Sequence, residues 1–271
     1  RFHEGIDIKS MEQDDEGESI DTVMAARSGK MVYINRNISA SNYGKYAVLL
    51  HDLEGLPLYT LYAHLRNVDE ALNVGDVIDA GATLGTLGRT TNTGDGISKT
   101  RAHLHFEIGM QVNSKFSQWF GSWFKGGKNF HGDWNGMNLL GLDGAEILKR
   151  ANAGSFEILE HLKSEPTLCR LMIFLEDFDW LERFPQLVDD DDLEDKDPIQ
   201  AWEVHLNFNG IPVRMIPVRN KVRSGGAKYR ILKVDDKILK KHPCSGLVFR
   251  KGQQWVFTGK GQRAMDLLLY R

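Results

Sequence analysis

A chain of 271 residues, 41% hydrophobic and 26% charged, has enough apolar side chains to fill one large domain or two ordinary ones, so disorder is not the default. A net charge of −3 gives no global attraction to nucleic acid. No apolar run approaches the ~20 residues of a bilayer span, and no charged segment leads into an apolar one in the manner of an export signal. Cys169 and Cys244 are too few for a disulfide scaffold and too far apart for a CxxC metal pair, which leaves one bridge or two free thiols open.

In chain order, the first third reads as strands. TVMAARSGKMVYINRN, KYAVLLHDL and LPLYTLYAHL are rich in Val, Tyr and Leu and punctuated by Gly, Asn and Asp, which predicts antiparallel hairpins. In NVGDVIDAGATLGTLGR the glycines at 75, 81, 85 and 88 suit tight turns between very short strands. The polar loop TTNTGDGISKTR leads into AHLHFEIGM, a strand with period-two alternation. The aromatic and Gly-rich SQWFGSWFKGGKNFHGDWNGMNLLG is expected to form long loops on the sheet or around a cleft.

From about residue 141 to 188 the apolar residues recur at helical spacing, and Pro166 is expected to split the stretch into two or more helices. Residues 189–198 hold an acidic run, expected to be a solvated linker. Beyond it the balance reverses, with 15 Lys and Arg against 4 Asp and Glu from Ile199 on, and 19 against 33 before it. AWEVHLNFNGIPVRMIPV and QQWVFTG read as strands and GQRAMDLLLY as a closing helix, giving a small basic β-rich module over 199–271. There is no internal repeat.

Three histidine groups merit weighing as chemistry. His103 and His105 alternate along a strand and so project from one face, where they could address one ion or one substrate. In HEGID, His3 and Asp7 are both good zinc ligands, and Gly5 allows the backbone to bend so that both turn to one point. His64 ends an apolar strand, where a lone histidine is more often a packed residue with a satisfied hydrogen bond. Taken together, two His and one Asp make a three-ligand metal site with a position left for water, and two further imidazoles remain as base and oxyanion stabiliser.

The ordered motifs HEGIDI, LYAHL, VGDVIDAGATLGTLGRTTNTG and HLHFEI resemble the lysostaphin-like (LytM-type) zinc endopeptidases that cut peptide cross-links of bacterial peptidoglycan. The resemblance covers about residues 1 to 110. It implies a mainly β fold, an antiparallel sheet with a narrow groove, extending over residues 1–140. It further implies one Zn²⁺ ion held by His3, Asp7 and His105, with His64 and His103 as catalytic groups and Tyr62 and Glu107 in supporting roles. The implied partner is peptidoglycan peptide, at a periplasmic or extracellular location.

The chain departs from the family pattern in three places. It starts two residues ahead of the HxxxD motif, where the family has a strand and a loop, so a removed or missing N-terminal segment is expected. The link NTGDGISKTR is longer than usual, with Ala102 at a common Pro position. Nothing after about residue 140 belongs to the resemblance.

Other readings use the residues less fully. A non-haem iron oxygenase also takes two His and a carboxylate but leaves His64 and His103 idle. A catalytically silent relative that regulates other wall hydrolases is expected to have lost ligands, whereas all five positions are intact here. For the basic module, an anionic wall polymer or an intramolecular acidic partner is expected before nucleic acid, for which no motif is present. His51, His131, His161, His205 and His242 are expected to be structural or exposed.

Overall fold

The computed structural model describes residues 4–154, 156–189 and 197–271. Residues 4–111 carry nine strands, as their composition predicts: β1 (Ile6–Lys9), β2 (Thr22–Met24), β3 (Gly29–Asn35), β4 (Lys45–Leu53), β5 (Leu56–Leu65), β6 (Asn67–Val68), β7 (Val77–Ile78), β8 (Thr83–Thr86) and β9 (His103–Gln111). An antiparallel sheet runs in the order β1-β9-β5-β4-β3-β7, and β2, β8 and β6 form a smaller one. Strands β4 and β5 are joined by a two-residue turn, Glu54-Gly55, with both φ angles positive (56° and 79°). That handedness matches the strand twist. His51 therefore lies inside β4 rather than in the turn, with its ring nitrogens on the Ser28 carbonyl and the Thr60 hydroxyl.

The central strands are buried on both faces, which explains their nearly continuous apolar runs. One face packs Met31, Ala47, Leu49, Tyr62, Leu104 and Phe106. The other packs Tyr46, Val48, Tyr59, Leu61 and Ala63 against Leu139.

The second half contains α1 (Phe116–Trp123), β10 (Leu139–Gly141), α2 (Gly144–Asn152), α3 (Ile158–Ser164), β11 (Cys169–Ile173), α4 (Asp179–Arg183), β12 (Ala201–Leu206), β13 (Pro212–Val218), β14 (Tyr229–Val234), α5 (Asp236–Lys241), β15 (Val248–Lys251), β16 (Gln254–Phe257) and α6 (Gly259–Leu268). Two expectations are corrected. The aromatic stretch is not all loop, because Phe116, Trp119, Phe120 and Trp123 fall at helical spacing and α1 buries Phe116 and Trp119 completely. The stretch expected to be helical contains β11, whose buried Cys169, Leu171 and Ile173 alternate with half-buried Arg170 and Met172. This strand sits inside the sheet β13-β12-β11-β14 and so joins the helical stretch to the basic module. Cys169 is buried and Cys244 exposed, both as free thiols. Residues 190–196 of the acidic run lie outside the described residues, while Asp189 at its start pairs with Lys163 and Arg214.

The two halves share one core. Met110 and Val112, at and just beyond the end of β9, cluster with Phe116, Trp119, Leu171, Val204, Met265 and Leu268. Polar ties reinforce it: Trp119 Nε1 donates to Asp266 Oδ2 (2.8 Å), and Asn113 Nδ2 donates to the carbonyls of Leu267 and Tyr270. Arg183 caps the carbonyls of Gln111 and Val112 while pairing with Asp179. Trp119→Ala is expected to cost about 3–5 kcal/mol, since it empties a fully buried site and strips Asp266 of a donor. Urea denaturation of parent and variant measures this.

Candidate metal centre

The site grows out of strand register. β1 pairs antiparallel with β9 so that Asp7 stands opposite His105 and Lys9 opposite His103, and β5 flanks the other side with Ala63 opposite His105. Facing residues of paired strands share a sheet face, so Asp7 joins His103 and His105 on theirs. Asp7 Oδ1 is 3.2 Å from His105 Nδ1 and 3.5 Å from His103 Nε2. Gly5 matters here for closeness rather than for a bend. A Cβ at this position would sit 2.5 Å from the Phe106 carbonyl oxygen and 2.9 Å from Glu107 Cγ, so only glycine lets the chain lie this close to β9.

His64 reaches the same point by a different device. Regular alternation would send it to the face of Tyr62, away from His105. The β4–β5 register shifts between Lys45 and Ala47, placing Ala63 and His64 in a bulge, and His64 takes φ of +60°. Such a bulge re-aims a side chain. The ring thus lies 4.8 Å from that of His103 and 5.9 Å from that of His105, centroid to centroid. The strained backbone is held by His64 N–H donating to the Tyr43 carbonyl (2.9 Å) and by Thr90, whose hydroxyl accepts from Lys45 N–H and donates to the Leu65 carbonyl.

Hydrogen bonds fix which nitrogen each ring offers. A carbonyl only accepts, so His64 Nδ1–H donates to Thr90 O (2.8 Å) and His103 Nδ1–H donates to Arg101 O (2.7 Å), leaving both Nε2 lone pairs free. His105 is turned the other way. Its Nε2–H donates to Glu107 Oε1 (2.7 Å), and the Nδ1 lone pair faces Asp7. Glu107 is fully buried and also accepts from Tyr43 OH (2.7 Å) and Tyr59 OH (3.0 Å).

Electrostatics agree with this geometry. Burial pulls His105 down, but Glu107 and Asp7 outweigh it, so its pKa stands above the ordinary histidine value. Burial pushes His64 down to about 4, so it is neutral at physiological pH. Two facing acceptors, His105 Nδ1 and Asp7 Oδ1, are compatible only with a positive charge between them, either a proton or a metal cation. An imidazole nitrogen and a carboxylate oxygen suit zinc, and a carboxylate behind the ligating histidine is the usual orienting partner. The donor set therefore fits a metal.

Asp7, His64, His103 and His105 are thus brought together, while His3 lies outside the described residues. No group of three His, Cys, Asp or Glu side chains among the described residues forms a metal-holding set by itself. Tyr62 is not part of the site, since it packs on the opposite face and its hydroxyl accepts from Ala26 N–H. Tyr43 and Tyr59 are contributors that sequence reasoning passed over. The long link before β9 is pinned by Arg89, which forks onto Glu18 (3.0 and 2.8 Å), and by Lys99. Arg89, with Lys99, holds the Glu18 carboxyl down at about 2. The remaining histidines make structural contacts: His131 sits between Tyr33 OH and the Ala40 carbonyl, His205 beside Glu203, and His242 stacked on Phe208.

Residues 1–116 match the model of peptidase family M23. This is the family its motifs resemble, and the match covers less than half of the chain. No curated protein matches the chain. Among solved structures it is similar to the catalytic domain of the antimicrobial peptidase lysostaphin from Staphylococcus simulans, with 22% identity over 55% of this chain and 80% of that one and a TM-score of 0.34. It is also similar to a mutant catalytic domain of the prophage-encoded M23 protein EnpA from Enterococcus faecalis, with 20% identity over 40% and 68% and a TM-score of 0.29. A zinc containing peptidase from Vibrio cholerae has 18% identity over 38% and 32% with a TM-score of 0.25.

The depressed His64 pKa predicts a pH effect on stability. The unfolded chain takes up a proton near pH 6.5 and the folded one only near 4, so stability falls as pH drops between these values. In metal-free protein, the parent is expected to lose about 2 kcal/mol more than His64→Gln between pH 7 and pH 5. Urea titrations at the two pH values check this; equal losses would contradict it.

Proposed function

We propose that this chain is a zinc-dependent endopeptidase that hydrolyses peptide cross-links of bacterial peptidoglycan at the cell envelope, in the periplasm or outside the cell. The observation that carries the reading is the convergence of two imidazole nitrogens, His103 Nε2 and His105 Nδ1, upon one oxygen of Asp7, with the His64 ring packed against both rings and each of the three rings fixed by a hydrogen bond at its other nitrogen. The family M23 match over residues 1–116 supports the peptidase chemistry. No helix among the described residues is long and apolar enough to cross a membrane.

In this reading His3, Asp7 and His105 hold one Zn²⁺. Bound there, the ion supplies a Lewis acid that polarises the scissile carbonyl and acidifies water. His103 Nε2, 3.5 Å from Asp7 Oδ1, accepts the proton of the attacking water. It returns that proton to the leaving amine. His64 stays neutral and uses its Nε2 lone pair to accept a hydrogen bond from the same water, orienting it towards the carbonyl. Glu107 holds the His105 ring in the one tautomer that presents Nδ1. Burial pushes the Cys169 thiol up to about 12, so it is not a nucleophile for this chemistry.

The reading is tested by zinc content together with hydrolysis of purified peptidoglycan. His105→Ala is expected to lose both zinc and cleavage, and His103→Ala to retain zinc while kcat falls about 10²–10⁴-fold. Stoichiometric zinc without cleavage by the parent would favour a binding protein that regulates other wall hydrolases, and a parent without zinc affinity would overturn the proposal. Glu107→Gln leaves the ligands in place but loosens the His105 ring, and zinc affinity measured against a competing chelator is expected to fall about 10–100-fold.

A further inference from the structure

The positive charge of the second half is concentrated in one stretch. From Val204 to Val234 there are seven Lys and Arg and no Asp or Glu. Strand register shows where they point. In the sheet β13-β12-β11-β14, Arg214, His205, Arg170 and Lys233 stand opposite one another across all four strands. Their strand neighbours Val213, Val204 and Leu171 are buried in the core, so this row lies on the outer face of the sheet. Arg230 follows on the same face, opposite Met172.

Most of that row is answered inside the molecule. Arg170 and His205 both donate to Glu203, and Arg214 pairs with Asp189. The β14 side is not. Lys233 and Arg230 are exposed, as are Lys221, Arg223 and Lys228 in the loop that leads into β14, and none of the five pairs with a carboxylate among the described residues. The loop holds its cations in place. Arg230 Nη2 donates to the Arg223 carbonyl (3.0 Å) while its guanidinium lies over the Phe174 ring (5.3 Å), and Phe174 N–H donates to the Lys228 carbonyl (2.9 Å). A lysine on an edge strand discourages pairing with another strand. That accounts for Lys233 but not for the cations gathered in the loop.

We propose that β14 and the loop before it bind a linear phosphodiester polymer that carries no bases. Charge complementarity supplies the attraction, and arginine forks together with lysine point charges suit phosphate oxygens. Binding of bases needs stacking platforms, but the two aromatic residues of this stretch are engaged: Phe208 is stacked on His242 (3.9 Å) and Tyr229 is set edge-on to Phe257 (5.4 Å). Docking on an anionic membrane needs an apolar anchor, and Leu232 is the one large hydrophobic residue of the stretch that is exposed. The surface therefore reads charge along a backbone. None of its residues belongs to the metal centre, so the inference stands or falls apart from the peptidase reading.

Poly(glycerol phosphate), single-stranded DNA and poly-glutamate, matched in charge number and titrated into the full chain over a series of salt concentrations, provide the probes. Binding of poly(glycerol phosphate) is expected to weaken with salt at a log–log slope of about −3.5, near −0.7 for each of about five neutralised phosphates. Arg230→Gln with Lys233→Gln, and separately Lys221→Gln with Lys228→Gln, each make that slope shallower by about 1.4. The second pair has no side-chain bonds among the described residues to lose, so its effect is not one of folding. The same charge loss on α5, Lys237→Gln with Lys240→Gln, leaves the slope unchanged. DNA is expected to bind no more tightly than poly(glycerol phosphate), and poly-glutamate about five-fold more weakly. Absence of binding at low salt, an equal effect of the α5 variant, tighter binding of DNA, or equal binding of poly-glutamate overturns the inference.

Discussion

The site depends on one buried carboxylate. Glu107 is taken wholly out of water, which is tolerable only because the His105 ring and the Tyr43 and Tyr59 hydroxyls all donate to it. Each donor belongs to a different element: β9 itself, the turn before β4, and β5. Satisfying Glu107 therefore fixes three parts of the sheet relative to one another. The same bonds decide that His105 shows Nδ1 to Asp7. The electronic state of the site and the packing of its scaffold are consequently one problem with one solution.

Much of this was legible in the chain. Period-two alternation puts His103, His105 and Glu107 on one face of β9, and the order of the HxxxD, LYAHL and HxH motifs pointed to the family. The strand reading of residues 22 to 111 held because short β-branched and aromatic runs separated by Gly and Asn leave few alternatives. His64 was harder. Alternation alone places it on the wrong face, and the bulge that corrects this is a matter of register between two strands, which no local pattern encodes. Tyr43 and Tyr59 were missed for a related reason, since their importance comes only from converging on Glu107 across 64 and 48 residues.

The second half shows where periodicity misleads. CRLMI alternates over only five residues and is flanked by helices on both sides, so a helical window absorbs it. Its identity as an inner strand is set by partners on β12 and β14 that lie far along the chain. Similarly, Gly121 and the surrounding aromatics disguise α1, whose helical state is maintained by burying Phe116 and Trp119 rather than by propensity. The acid–base split of the sequence is likewise resolved in three dimensions. The basic half meets the start of the acidic run where Arg214 pairs with Asp189.

Asp7 and His105 are 98 residues apart, and β1 is a four-residue edge strand paired only with β9. Bringing these ends together closes a loop whose entropy cost in an unconstrained chain is about 4–5 kcal/mol. In the proposed reading both are ligands, and an ion held between them would act as a reversible cross-link, returning as folding free energy part of what binding gains. The centre is thus also a proof of assembly. On that reading a chain with β1 undocked would lose the Asp7 ligand, so an unfinished or partly unfolded molecule would lack a complete metal site, and competence for chemistry would arrive only with the finished sheet.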